Sequence, residues 1–125
     1  MIRILLADDH KLVRKALRII LEECPEWHVC GEASNGREAV KLALELKPDI
    51  AVLDFAMPEL SGIEATRLIK EALPRVEVLI FTMYDTEELL GSARSAGARG
   101  IVAKSNHDEI VNAIRAITRD HVSVS

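Results

Sequence analysis

Ile4-Leu5-Leu6-Ala7-Asp8-Asp9 is an apolar run that stops at two acids, and the same pattern recurs along the chain. Ile50-Ala51-Val52-Leu53 stops at Asp54, and Ile101-Val102-Ala103 stops at Lys104. Short apolar runs of this kind read as buried parallel strands. In an open α/β sheet, ligands sit outside the carboxyl ends of the strands. Neighbouring parallel strands would therefore bring three carboxylates and one ammonium to one edge. Clustered carboxylates repel, so they protonate or recruit a cation. An oxygen-lined pocket with a fixed Lys beside it suits Mg²⁺ and a phosphoryl group.

Working outward, strand and helix patterns alternate from end to end. Strands are expected at 3–7, 27–33, 50–53, 76–81 and 100–103, and helices at 11–23, 37–46, 63–73, 86–96 and 107–118. In the first helix, Leu12, Val13, Ala16, Leu17, Ile20 and Leu21 recur at helical spacing and are expected on one inward face. Cys24-Pro25, Ser34-Asn35-Gly36, Pro48, Pro74 and Gly97 supply the breaks. The fourth helix is weaker, interrupted by Gly91. Five βα units imply a parallel sheet with helices on both faces, joined by right-handed crossovers. The fold class is α/β: a flavodoxin-like, doubly wound (βα)5 domain with strand order 2-1-3-4-5. One domain is expected over 1–120, with 121–125 a short polar tail or the start of a linker. In this order Asp8, Asp9 and Asp54 share the crevice at the switch point, joined by Thr82 and Lys104 from the ends of the fourth and fifth strands.

Composition narrows the function classes. The 125 residues make one ordinary domain, and the 49% hydrophobic share is enough for a core without disulfide or metal staples. A net charge of −4, with Lys and Arg scattered, argues against direct nucleic-acid binding. Cys24 and Cys30 have no partners at metal-ligand spacing and read as plain thiols of a reducing, cytoplasmic compartment. No stretch approaches the ~18 apolar residues of a membrane span.

The strand-end residues can do phosphoryl chemistry. A carboxylate can attack phosphorus to give an aspartyl-phosphate. Lys104 can neutralise one phosphoryl oxygen and Thr82 can donate a hydroxyl hydrogen bond to another. Such transfer needs mainly positioning and charge neutralisation. His10, beside the acidic pair, is expected at the start of the first helix rather than on a metal, because Mg²⁺ prefers oxygen. Trp27 is expected to anchor the second strand, and His28, His107 and His121 to lie at the surface.

Leu6-Ala7-Asp8-Asp9-His10, Val29-Cys30-Gly31-Glu32-Ala33, Pro48-Asp49-Ile50, the stretch from Asp54-Phe55-Ala56-Met57-Pro58 to Gly62, Phe81-Thr82-Met83-Tyr84-Asp85 and the stretch from Ala96-Gly97-Ala98-Arg99-Gly100 to Lys104 together resemble a response-regulator receiver domain, over nearly the whole chain. The Asp-Asp-His opening, Thr-Met-Tyr-Asp and Ala-Gly-Ala-Arg-Gly are most similar to the NarL/FixJ subfamily. The resemblance implies that Asp54 accepts phosphate from a sensor histidine kinase. It also implies Mg²⁺ on Asp8, Asp9, Asp54 and the carbonyl of Ala56, and a switch in which Thr82 moves toward the phosphoryl group while Lys104 pairs with it. The face of the fourth helix and fifth strand would then rearrange to alter partner binding, so the protein would be a signalling phosphoacceptor rather than an enzyme acting on other molecules. Ala56 and Tyr84 occupy positions that tune phosphate lifetime in the family, and Tyr84 is expected to shield the phosphoryl group. The chain departs from many relatives at Ile101, where an aromatic partner of the switch Thr is common. NarL-like receivers usually precede a helix-turn-helix domain, so DNA would be reached only through such a domain, absent from this chain. A homodimer through the first and fifth helices is implied as well. The alternatives are a natural single-domain regulator, a haloacid-dehalogenase-like Mg²⁺ phosphohydrolase and a degenerate docking module. The phosphohydrolase spaces its two Asp differently, and the docking module would not need an intact Asp9, Asp54, Thr82 and Lys104.

Overall fold

The protein's structure, a computed structural model, describes residues 1–83 and 86–123, with side chains described through 119. Five strands and five helices alternate: β1 (Ile2–Ala7), α1 (Lys11–Glu22), β2 (Trp27–Ala33), α2 (Gly36–Leu46), β3 (Ile50–Asp54), α3 (Gly62–Ala72), β4 (Glu77–Thr82), α4 (Glu87–Ala96), β5 (Gly100–Ala103) and α5 (His107–Ser123). The strands form one parallel sheet in the order β2-β1-β3-β4-β5. Both the fold class and the strand order agree with the sequence reading.

Strand alternation divides the core in two. Ile4, Leu6, Val29, Val52, Leu79, Phe81 and Val102 face one side and pack under Leu17 and Leu21 of α1 and Ile110, Ile114 and Ile117 of α5. Leu5, Ala51, Leu53, Val78 and Ile80 face the other side. There they meet mostly small residues: Ala39 and Ala43 of α2, Ala65 and Ile69 of α3, and Ala93 of α4. Every residue of β3 is buried, as its central place requires. Trp27 is buried at the start of β2, with the Arg115 guanidinium 5.7 Å from its ring centroid, which fits the anchoring role.

Capping fixes where helices begin. Asn35, Ser61 and Thr86 each accept a hydrogen bond from the backbone N–H three residues on. The Glu38 carboxylate reaches back to the Ser34 N–H at 2.9 Å, completing a reciprocal cap. Gly97, at φ 108°, closes α4 in the left-handed conformation.

Several details differ from the sequence reading: many element ends shift by one residue, β4 being Glu77–Thr82 rather than 76–81. Asp54 is the last residue of β3 rather than the first beyond it. α5 runs to Ser123, past the expected end at Thr118, because no Pro or Gly interrupts it there. The inward face of α1 is narrower than its six apolar residues suggest. These span half the helix circumference, and a helix lying on a sheet cannot bury so wide an arc. Leu17 and Leu21 are buried, whereas Ala16 is exposed and Leu12 is 79% exposed. No helix among the described residues is long and apolar enough to cross a membrane.

The loop between β3 and α3 is held down by two glycines. A Cβ on Gly36 would overlap the Leu60 carbonyl, and one on Gly62 would overlap the carbonyl of Asp54 itself. The Gly62 N–H donates to Phe55 O at 2.8 Å and the Gly36 N–H to Pro58 O at 3.3 Å. Gly91 is different: it lies exposed in α4, with open space where its Cβ would be. The two kinds of glycine should respond oppositely to Ala in urea unfolding. Gly36→Ala is expected to lose about 1–3 kcal/mol through backbone overlap, and Gly91→Ala to gain about 0.5–1 kcal/mol through helix propensity.

Candidate functional site

Register delivers the charged residues to one edge. Ala7 pairs with Leu53, Asp54 with Phe81, and Thr82 with Ala103. Asp8 and Lys104 each follow one residue later. The Lys104 N–H donates to Thr82 O at 2.8 Å, fixing the end of β5 against β4. Alternation puts Asp54 on the α1/α5 side of the sheet with Phe81, and Thr82 on the opposite side with Ile80 and Ile101. Ile101 is half-buried against the alanine-rich core and pairs across the sheet with Ile80.

Lys104 is the centre of the site. Its Nζ lies 2.8 Å from Asp8 Oδ2 and 3.1 Å from Asp54 Oδ1, and 5.7 Å from the Phe81 ring centroid. Asp8 and Asp54 are only 2% and 5% exposed. Burial, and then the charge of Asp8, push the Asp54 carboxyl above the ordinary range; Lys104 and a backbone hydrogen bond from Ala56 oppose this without cancelling it. Burial acts to lower the ammonium of Lys104, but the two carboxylates outweigh it and hold it above the usual amine range.

Asp8 Oδ1 accepts from the His10 backbone N–H at 2.9 Å and lies 3.1 Å from His10 Nδ1. The same ring nitrogen is 3.1 Å from Asp9 Oδ1. His10 is the N-cap residue of α1, the place expected for it. Asp8 Oδ2 is buried against the Lys104 ammonium, 2.8 Å away. Asp9, a third exposed, stands at the mouth.

Asp8, Asp9, His10 and Asp54 can each offer a ligand atom, all within 4.8 Å of one another. Three carboxylates against one ammonium leave uncompensated negative charge in a pocket where Asp8 and Asp54 are buried. A hard dication with oxygen preference fits this donor set, as Mg²⁺ does. His10 adds one nitrogen at the rim.

The structure thus brings Asp8, Asp9, Asp54 and Lys104 together as the sequence predicted, and places Thr82, 1% exposed, at the adjoining strand end. Ala56 is exposed in the loop after β3, with its backbone directed to Asp54. Tyr84 lies outside the described residues. Sequence reasoning missed Arg14, whose Nη1 donates to the Asp8 carbonyl at 2.6 Å. The only signal in the chain is a cation one turn into the helix that follows the acidic pair.

Residues 4–115 match the response regulator receiver domain family. The chain belongs to that family. The receiver is 41% identical to the uncharacterized transcriptional regulatory protein YxjL of Bacillus subtilis (strain 168) over 119 residues, 94% of this chain and 55% of that protein. It is also 41% identical to the transcriptional regulatory protein LiaR of the same strain over 120 residues, 95% and 57% of the two chains. It superposes on a LuxR-family two-component response regulator from Aurantimonas sp. SI85-9A1 with a TM-score of 0.90 at 42% identity, covering 94% of this chain and 84% of that one. With the signal receiver domain of NarL from Mycobacterium tuberculosis the TM-score is 0.87 at 30% identity, covering 94% and 96%. The receiver spans about half the length of the curated relatives it matches.

The raised Asp54 carboxyl has a consequence for stability. The native state keeps this proton to higher pH than the unfolded chain, whose value is 3.8. Stability therefore falls as pH rises from 3.8 through the native value, and the cost persists in full above it. Asp54→Asn removes that cost. Its melting temperature is expected to exceed the parent's by a few degrees at pH 7, and the gap to close below about pH 3.8, followed by circular dichroism.

Proposed function

We propose that the receiver is a phosphoacceptor switch: Asp54 takes a phosphoryl group from a sensor histidine kinase, and the change at the strand ends alters an output surface. The observation that supports this best is the Lys104 ammonium held between buried Asp8 and Asp54, with Asp9 at the open mouth. In the reaction an Asp54 carboxylate oxygen attacks the phosphorus of a phosphohistidine. A P–O bond forms as the P–N bond breaks, and the imidazole leaves with that electron pair and takes a proton from solvent. Lys104 stays paired with the new acyl phosphate, replacing its contact with Asp54 by one with a phosphoryl oxygen. Asp8, Asp9, Asp54 and the carbonyl of Ala56 would hold Mg²⁺, which supplies positive charge for the phosphoryl oxygens.

The switch half of the proposal rests on Thr82. Its hydroxyl would turn toward the phosphoryl group and draw the α4/β5 face with it, a shift between two existing states. Ile101 stands where an aromatic relay is common, so here the coupling would pass through aliphatic packing between Ile80 and Ile101. Ala56 and Tyr84 would set the lifetime of the phosphate, Tyr84 by excluding water; Tyr84→Ala is then expected to speed dephosphorylation, and an unchanged rate refutes that role.

The receiver would occupy residues 1–120 of a transcription regulator acting in the cytoplasm, with 121–125 leading toward a DNA-binding domain. Regulatory relatives about twice as long support this. Because α5 continues to Ser123, such a linker would leave the receiver as a helix. A homodimer through α1 and α5 is proposed on the exposure of Leu12 and Ile19, at 79% and 59%. Light scattering of the phosphorylated receiver is expected to show twice the monomer mass, and Ile19→Asp to restore the monomer.

The central test is incubation with a small acyl phosphate and Mg²⁺. Intact mass spectrometry is expected to show one phosphoryl adduct, removed by hydroxylamine and absent from Asp54→Asn. Labelling that survives in Asp54→Asn refutes the assignment, and multiple turnover without an adduct points to a phosphohydrolase. Chelation of the metal is expected to slow labelling at least tenfold.

A further inference from the structure

A further layer of charge lies behind the acidic pair, on α1 and the edge strand β2. Arg14 is 15% exposed although it carries a full charge. Its Nη1 donates to the backbone carbonyl of Asp8 at 2.6 Å, and its Nε donates to Glu32 Oε1 at 3.3 Å. The other Glu32 oxygen accepts from Arg18 Nη1 at 2.6 Å. Arg18 is anchored in turn, with Nη2 donating to Val29 O at 3.0 Å and Nε 3.6 Å from Glu22 Oε1.

The carbonyl that Arg14 holds belongs to the peptide joining Asp8 to Asp9. That peptide is planar and rigid, so fixing its oxygen fixes the direction in which the chain enters Asp9. The Asp8 N–H is already tied to Ala33 O at 3.1 Å, and the next N–H beyond Asp9, that of His10, to Asp8 Oδ1. Arg14 therefore fastens the face of the turn that backbone pairing leaves open. Asp9 is the least buried of the three carboxylates and the one with most need of such support.

Charge balance fits the same purpose. A bare guanidinium this close to three carboxylates would compete with a cation for them. Arg14 and Arg18 are matched by Glu22 and Glu32, so the network sums to zero. It supplies rigidity to the pocket and leaves its negative charge intact. The guanidinium fork suits this place because one donor serves the carbonyl while another serves Glu32, which the single point charge of Lys cannot do at once.

We infer that Arg14, braced by Glu32, is a positioning residue for the cation site: it locks the Asp8–Asp9 peptide so that both carboxylates are preset for the metal. The inference rests on the Mg²⁺ reading of the pocket, and one of its two readouts needs no metal. Arg14→Ala and Arg14→Lys are compared with the parent by calorimetric titration with MgCl₂ and by ¹⁵N relaxation without metal. The lysine variant retains the charge and the aliphatic stem, so it covers the case in which the alanine variant does not fold. Loss of support behind metal ligands typically costs about 10–100-fold in affinity. Arg14→Ala is expected to weaken Mg²⁺ about tenfold, Arg14→Lys by less, with acyl-phosphate labelling restored to the parent rate at saturating Mg²⁺. The order parameter of the Asp9 amide is expected to fall from about 0.85 to below about 0.6. Mg²⁺ binding within twofold of the parent in the folded variants overturns the inference, as does an unchanged Asp9 order parameter. If the parent itself binds no Mg²⁺, the metal reading falls, and the Asp9 order parameter alone decides whether Arg14 locks the turn.

Discussion

One ammonium between two buried carboxylates holds the functional edge of this protein together. Asp8 and Asp54 sit on neighbouring strands and would repel each other across a poorly solvated gap. Lys104 arrives from β5, beyond β4, so its ionic contacts clamp three strands that reach the site from distant parts of the chain. The clamp leaves charge unbalanced: with Asp9 included, one positive group faces three negative ones. Burial, and then the charge of Asp8, hold the Asp54 carboxyl above the ordinary range in spite of Lys104. The same deficit that weakens the pocket suits a cation, and on the proposed reading a phosphoryl group after it.

Much of this was legible in the sequence because a charge at the end of an apolar run is a local signal with a tertiary meaning. Parallel strands in register end together, so the order of the runs alone assigns Asp8, Asp54 and Lys104 to one edge. Helix starts were placed to within a residue by the breaks and the apolar spacing, while the caps Asn35, Ser61 and Thr86 emerged only from the structure. The overestimate on α1 has a physical reason. Periodicity identifies apolar residues but not the width of the groove they meet, and Leu12 falls outside that width. The extension of α5 was not legible because polar residues without Pro or Gly neither favour nor forbid another helical turn.

Arg14 was hidden for a different reason. Its partners are a backbone carbonyl and a Glu on another strand, and neither leaves a spacing pattern in the chain. Gly36 and Gly62 read as turn residues, yet their function is close approach: each admits a carbonyl where any side chain would collide. The charged residues at the strand ends announce themselves by chemistry. Residues that hold those residues still are found only by following contacts.

The division of the core into large-residue and alanine-rich halves gives the sheet two unlike surfaces. Under α1 and α5, Ile, Leu and Trp side chains interlock, and moving a helix would mean withdrawing each from its socket. Under α2, α3 and α4, alanines alternate with larger residues such as Ile69, so the buried contacts there are on average smaller. A small translation there breaks fewer dispersion contacts and opens less void. A small helix shift would therefore disturb less packing on the alanine-rich side than on the other. Thr82 and Ile101 emerge on that side, where a displacement at the strand end would meet the smaller resistance.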